Sequence, residues 1–198
     1  MSEARVHRWT LEEFLPWEAN QPGEENQPAK YELVDGQPRL MTGETQAHHL
    51  IGLNIVAVLR DRLRGSPCRP CGSDLRVITG TDNARYPDAL IDCGRFDPQS
   101  HNASEPAVVF EVLSRSTGWL DMQIKLRDYD ATPTIRFYVV VSQEELNVVI
   151  WTRSENGRLT LGANLTGAGE TMTLYPDEAR LALAEIYEGM GFGESSAP

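Results

Sequence analysis

Apolar and polar positions along the chain fall into a series of regular patterns. Thr10-Leu11-Glu12-Glu13 has the form of a capping box and predicts a short helix. The polar, Pro- and Gly-rich stretch 18–30 reads as a loop. Tyr31–Val34 and Gln37–Met41 flank Asp35-Gly36, a pair suited to the positive φ angles of a two-residue turn, so a hairpin is expected. From Glu44 to Gly65 apolar residues recur at helical spacing (Leu50, Leu53, Val56, Ala57), predicting a long helix with those residues on its apolar face.

Beyond Gly65 the periodicity shortens. Residues 73–80 and 89–94 are short strand-like runs. Residues 106–114, PAVVFEVLS, form a nearly continuous apolar strand of the kind buried on both sheet faces. Residues 119–132 read as a helix halted before Pro133. Residues 134–142 are a second buried strand, and 147–153 pair with it as a hairpin. Further strands are expected at 158–165 and 171–175. Residues 177–189 read as a closing helix with Asp177 as N-cap, and 193–198 as a flexible tail. No repeat or linker divides the chain, so one domain over 1–198 is expected, with its core at about 9–187. Mixed strands with flanking helices make it α/β or α+β, with an N-terminal hairpin and a C-terminal helix.

Composition changes this picture little: 198 residues, 40% hydrophobic and 24% charged, suffice for one core. No apolar run reaches membrane-spanning length, and residues 1–14 lack the apolar segment of a signal peptide. Three cysteines do not suggest a disulfide framework, so a reduced, cytoplasmic setting is the expectation. The net charge of −11 argues against an extended nucleic-acid surface, but it is unevenly distributed. Residues 1–35 carry −5 and 142–198 carry −6, whereas 36–141 is neutral. Within it, residues 60–76 hold Arg60, Arg62, Arg64, Arg69 and Arg76 against Asp61 and Asp74. These arginines are either a solvated helix face or a phosphate-contacting patch.

The candidate chemistry begins at Glu111, the one polar residue in Ala107–Val112. A carboxylate in such a run is costly unless it is paired. Side-chain alternation puts Val109, Glu111 and Leu113 on one face and Val108, Phe110 and Val112 on the other. Asp88 follows Pro87 at the start of a strand that could neighbour this one, with Asp92 four residues on. Two buried carboxylates do not both stay charged without a cation, and a hard divalent metal would resolve that. On the next helix Asp121, Lys125 and Tyr129 stand four apart on one face. Lysine occurs only at 30 and 125, against 16 arginines. A lysine retained at 125 supplies either a compact charge or a base; the plain alternative is a surface pair with Asp121. Glu32 could orient water or metal, or lie on a solvated edge. His48 and His49 open the long helix, either as structural residues or as a phosphate contact.

These segments, in the order KYELVDGQPRLM, HHLIGLNIVAVL, YPDALI, VVFEVLSRST, DMQIKLRDY and IRFYVVV, resemble the Uma-two family. That bacterial family has the restriction-endonuclease-like PD-(D/E)xK fold. The resemblance runs from about residue 9 to 187. It implies a mixed β-sheet flanked by helices with an acidic cluster at one edge. Asp88 matches the family's Pro-Asp aspartate, Glu111 the glutamate of the next strand, and Glu32 the early Tyr-Glu-Leu glutamate. The lysine usual two residues past that glutamate is replaced by Leu113. The resemblance moves its role to Lys125.

The implied activity is that of a Mg²⁺-dependent endodeoxyribonuclease. Asp88, Glu111 and the Val112 carbonyl would bind Mg²⁺ or Mn²⁺, Lys125 would assist, and Glu32 would support or hold a second ion. DNA is the expected partner, no membrane association is expected, and a homodimer fits. The alternative is a non-catalytic interaction module that keeps the fold, a reading the net charge favours. Cys68-x-x-Cys71 invites a zinc or redox reading, but only Cys93 and His101 are at hand to complete a tetrahedral site. Trp119, Tyr138 and Trp151 read as packing residues.

Overall fold

The computed structural model describes residues 7–23, 29–41, 43–113, 119–175 and 179–192. The predicted capping box forms. Helix α1 (Leu11–Glu18) starts at Thr10, whose Oγ1 accepts from the Glu13 amide while its own amide donates to Glu13 Oε2 at 2.9 Å. Strands β1 (Tyr31–Val34) and β2 (Gln37–Leu40) form the predicted hairpin, with Asp35 at φ 49° and Gly36 at φ 72°. Gly36 is also crowded: a Cβ there would lie 3.1 Å from Arg8 Cβ.

Helix α2 (Gln46–Arg62) follows, capped by Thr45. Four short strands come next: β3 (Arg69–Gly72), β4 (Val77–Ile78), β5 (Ala84–Arg85) and β6 (Ala89–Asp92). The long strand β7 (Pro106–Leu113), helix α3 (Trp119–Asp130) and strand β8 (Phe137–Ser142) form a parallel crossover, which needs a connection of this length. Strands β9 (Val148–Arg153), β10 (Leu159–Leu165), β11 (Thr171–Leu174) and β12 (Ala179–Ala182) precede a short helix α4 (Leu183–Ile186).

The main sheet is ordered β10-β9-β8-β7-β6-β3, and β7/β8 is its parallel pair. A second sheet runs β2-β1-β5-β4, and β11-β12 form a ribbon. Strand β7 lies centrally and is covered on both faces. Val108, Phe110 and Val112 pack with Ile51, Ile55 and Leu59 of α2. Val109 packs with Leu90, Tyr129, Tyr138 and Trp151. Its near-continuous apolar sequence is the consequence of two buried faces. Tyr138 and Trp151 are core residues as expected, with ring centroids 5.4 Å apart.

Four expectations are corrected. The buried stripe of α2 is Ile51, Ile55 and Leu59, whereas Leu53 is 55% exposed and Ala57 also faces outward. The helix carries apolar residues on adjacent stripes, and the sheet takes the one with regular i, i+4, i+8 spacing. The closing helix is reduced to α4, because Ala179–Ala182 instead pairs antiparallel with β11. Ala179 and Leu181 point inward and Arg180 outward, the period of a strand. The segment around Cys71, which lies outside the runs read as strands, is edge strand β3, and its Pro70 suits an edge. Finally, Cys68 and Cys93 form a disulfide and leave Cys71 free. They stand one step beyond the Arg69–Asp92 pair of the β3/β6 ladder, a proximity created only by strand pairing. The cysteine-based expectation of a reduced setting, and the Cys68–Cys71 motif, therefore no longer follow. The expected Asp177 cap, the Ser114–Thr117 part of the resemblance and the tail 193–198 lie outside the described residues. No helix among the described residues is long and apolar enough to cross a membrane.

The choice of α2 face is testable by urea unfolding. Ile55→Ala should lose about 2–5 kcal/mol, the range for truncating a fully buried isoleucine. Leu53→Ala should stay within about 0.5 kcal/mol of wild type. Equal losses would contradict the packing.

Candidate active site

The centre of the site is Glu111, whose side chain is 4% exposed within β7. Its Oε2 accepts from Lys125 Nζ at 2.6 Å and its Oε1 from the Tyr129 hydroxyl at 2.5 Å. Both donors come from α3, one helical turn apart. This is what the i, i+4 spacing provides when the helix lies along the strand. Asp121, one turn earlier, lies 3.9 Å from Lys125, so the ammonium is committed mainly to Glu111. The surface-pair alternative for Lys125 is thereby set aside.

Asp88 is held to the same strand from the other side. Its amide donates to the Phe110 carbonyl at 3.0 Å, and its Oδ2 accepts from the Val112 amide at 2.6 Å. Asp88, Glu111 and Lys125 thus line one cleft of about 440 Å³, together with Glu32, Arg39, Glu44, His48, Tyr86, Val112 and Asp121. Asp92 takes no part, being paired with Arg69 at 3.1 Å on the far side of β6. A larger cavity of about 900 Å³ lies at edge strand β3. It lacks the convergence of carboxylates and lysine, so the smaller cleft is the better chemical candidate.

Glu32 reaches the cleft from β1, but its carboxylate is engaged. Oε2 accepts from Arg85 Nη1 at 2.9 Å and Oε1 from the Tyr86 amide at 3.2 Å. Arg85 is fully buried, and its Nε and Nη2 also bind Asp128 Oδ2. This Glu32–Arg85–Asp128 group joins the hairpin sheet to α3, which fixes the mouth of the cleft. The arginines of 60–76 do not form a free basic patch. Arg62 pairs with Glu185, Arg64 with Asp61, Arg69 with Asp92 and Arg76 with Glu18, and of the five only Arg60 has no ion-pair partner among the described residues.

His48 enters from the first turn of α2. Its Nε2 stands 3.0 Å from Asp88 Oδ1. That nitrogen is buried and makes no well-directed hydrogen bond among the described residues, although Asp88 is close enough to attract a charged imidazolium. The sequence allows a structural histidine or a phosphate contact here, and neither reading places it beside Asp88. Glu44 lies just before the Thr45 cap, outside the helix, and its Oε2 comes within 3.9 Å of His48 Nε2 from the entering chain.

Electrostatics follow from burial and crowding. Burial pushes the Glu111 carboxyl up from 4.5 to about 7; Lys125 opposes this, and Asp88 and Glu32 add to it. Burial acts to lower the Lys125 pKa, yet Glu111, Glu32 and Asp88 outweigh it and raise it above its ordinary value, which keeps the ammonium charged. Lys125 is therefore a fixed positive charge rather than a base. For His48, burial acts downward, but Asp88, Glu44 and Glu111 raise its pKa overall. Five carboxylates line the cleft against Lys125, Arg39 and a titrating imidazole. A surplus of anionic oxygen donors beside an unpartnered imidazole nitrogen fits a divalent cation.

A family model described as "Uma2: Putative restriction endonuclease" matches residues 11–184. The uncharacterized protein slr1290 of Synechocystis sp. is 30% identical over 187 residues, covering 91% of this chain and 92% of its own. A crystal structure described as a putative nuclease belonging to DUF820, from Anabaena variabilis, superposes with a TM-score of 0.71. It covers 91% of this chain and 98% of that one at 16% identity, a likeness of fold.

The raised Glu111 carboxyl makes a prediction for the metal-free protein. A group whose pKa is higher in the folded state contributes stability below its unfolded value, and that contribution is lost as pH rises through the folded value. Between pH 4.5 and about 7, wild type should lose stability relative to Glu111→Gln in denaturant titrations. A difference that is constant across this window would refute the assignment.

Proposed function

The chain belongs to the Uma2 family, and on that premise we propose that it is a metal-dependent endonuclease hydrolysing phosphodiester bonds in DNA. The observation that carries this reading is the meeting of Asp88, Glu111 and Lys125 in one cleft, with Lys125 bonded to Glu111 at 2.6 Å. It supports the substitution of Lys125 for the missing lysine at position 113.

Asp88 and Glu111, with the Val112 carbonyl, would hold Mg²⁺ or Mn²⁺. When bound, the cation supplies positive charge at the phosphate and acidifies water. The remaining work falls to the chain's own groups. The Val112 amide and the β7 backbone keep Asp88 fixed beside Glu111. Tyr129 holds one oxygen of Glu111, so the carboxylate does not turn away from the cleft. Lys125, kept charged by its neighbours, stabilises negative charge developing on the phosphoryl oxygens. Glu32 acts indirectly, through Arg85 and Asp128, by positioning the α3 wall.

Arg39 lines the same cleft and is the cation at its rim placed to meet a flanking phosphate. With few free cations near the site among the described residues, DNA affinity depends on a small number of phosphate contacts, and its salt dependence is shallow. A two-fold dimer would offer two such clefts to the two strands of a duplex.

Plasmid nicking in Mg²⁺ or Mn²⁺ tests the reading, with folding verified by circular dichroism. Wild type should nick, and Glu111→Ala and Lys125→Ala should each fall by about 10²-fold or more. Equal nicking by all three proteins, or none by wild type with either metal, would overturn it.

A further inference from the structure

The reading above leaves the start of α2 without a role, although it closes one side of the cleft. Thr45 Oγ1 accepts from the His48 amide at 3.2 Å, which fixes the first turn. From that turn the imidazole reaches Asp88, with Nε2 3.0 Å from Asp88 Oδ1 and 3.9 Å from Glu44 Oε2. One donor atom from each of Glu44, His48 and Asp88 lies within 4.8 Å of the others.

An ordinary imidazolium–carboxylate pair would aim its N–H at the oxygen. Here Nε2 is buried and makes no such bond among the described residues. The spacing also suits a shared cation. Two ligands at right angles, each about 2.1 Å from a shared cation, stand about 3 Å apart. Asp88 is oriented for this, because the Val112 amide holds Oδ2 and leaves Oδ1 facing α2. Glu111 is less available, since Lys125 and Tyr129 occupy both its oxygens.

We infer that Glu44, His48 and Asp88 form a divalent-cation site at the α2 side of the cleft, and that its imidazole ligand selects a first-row transition dication such as Mn²⁺ over Mg²⁺. Carboxylates alone suit Mg²⁺, whereas an imidazole ligand shifts preference toward transition metals. This rests on the metal-dependent reading of the cleft and names the face from which the ion is held. Asp88 is the ligand common to both. His48 is a metal-binding residue, and Glu44, more exposed, closes the set.

Isothermal titration of the full chain with MnCl₂ and with MgCl₂ tests this without reference to cleavage. Wild type should bind Mn²⁺ about tenfold or more tightly than Mg²⁺. His48→Ala should weaken Mn²⁺ by at least about tenfold and remove the preference, since even residues that only support a metal ligand carry about 10–100-fold. Glu44→Gln should weaken it less, and Asp88→Asn should abolish binding. Pulsed electron paramagnetic resonance of the Mn²⁺-loaded protein should show imidazole nitrogen modulation in wild type and none in His48→Ala. Binding lost in Asp88→Asn but unchanged in His48→Ala, with no nitrogen modulation, overturns the inference and leaves the functional reading intact. No binding of either cation by wild type overturns both.

Discussion

The fold is organised around one buried charge. Glu111 lies within the longest buried strand, where an unpaired carboxylate would be strongly unfavourable. Helix α3 resolves this by presenting Lys125 and Tyr129 at successive turns, one to each carboxylate oxygen. The requirement fixes more than one contact. It sets the rotation of α3 about its axis and its position over β7. Through the parallel crossover, it also fits the register of β8 against β7. An apolar residue at 111 would serve the core at least as well, so the carboxylate is best understood as a chemical group for which the surrounding structure compensates.

A second buried charge extends the arrangement outward. Arg85 bridges Glu32 of the hairpin sheet and Asp128 of α3, with no exposure of its own. The small sheet is thus attached to the main sheet's helix by ion pairs as well as by apolar packing, and the cleft is the space between them. Among the described residues, carboxylates outnumber cations around that space. The imbalance burdens the metal-free state, and it is the condition under which a divalent cation is drawn in. Site strain and site function then have the same source.

The parts of this arrangement legible in the sequence were those encoded by short spacing. Thr10 with Glu13, Asp35-Gly36 and the Asp121-Lys125-Tyr129 ladder each state a local geometry, and each appears in the structure. The acid in the apolar run was visible because a polar residue is out of place there. What was hidden depends on strand pairing or packing between distant segments. Arg85 sits in a two-residue strand with no periodicity to mark it, yet it meets Glu32 and Asp128 from far along the chain. Cys68 and Cys93 become neighbours only through the β3/β6 ladder. The stripe of α2 that is buried, and the choice of strand over helix at Ala179–Ala182, were decided by the partners available. On α2 local propensity does not distinguish the stripes, and at Ala179–Ala182 pairing with β11 overrides the helix-favouring Ala, Arg and Leu.

The account stands or falls on a cation at Asp88, inside the cleft that Glu111 and Lys125 line. Anomalous diffraction from a crystal soaked in millimolar Mn²⁺ addresses it directly. The account predicts a peak about 2.0–2.2 Å from an Asp88 oxygen, within that cleft. A fully soaked crystal with no peak there, or with Mn²⁺ bound only elsewhere, would contradict it.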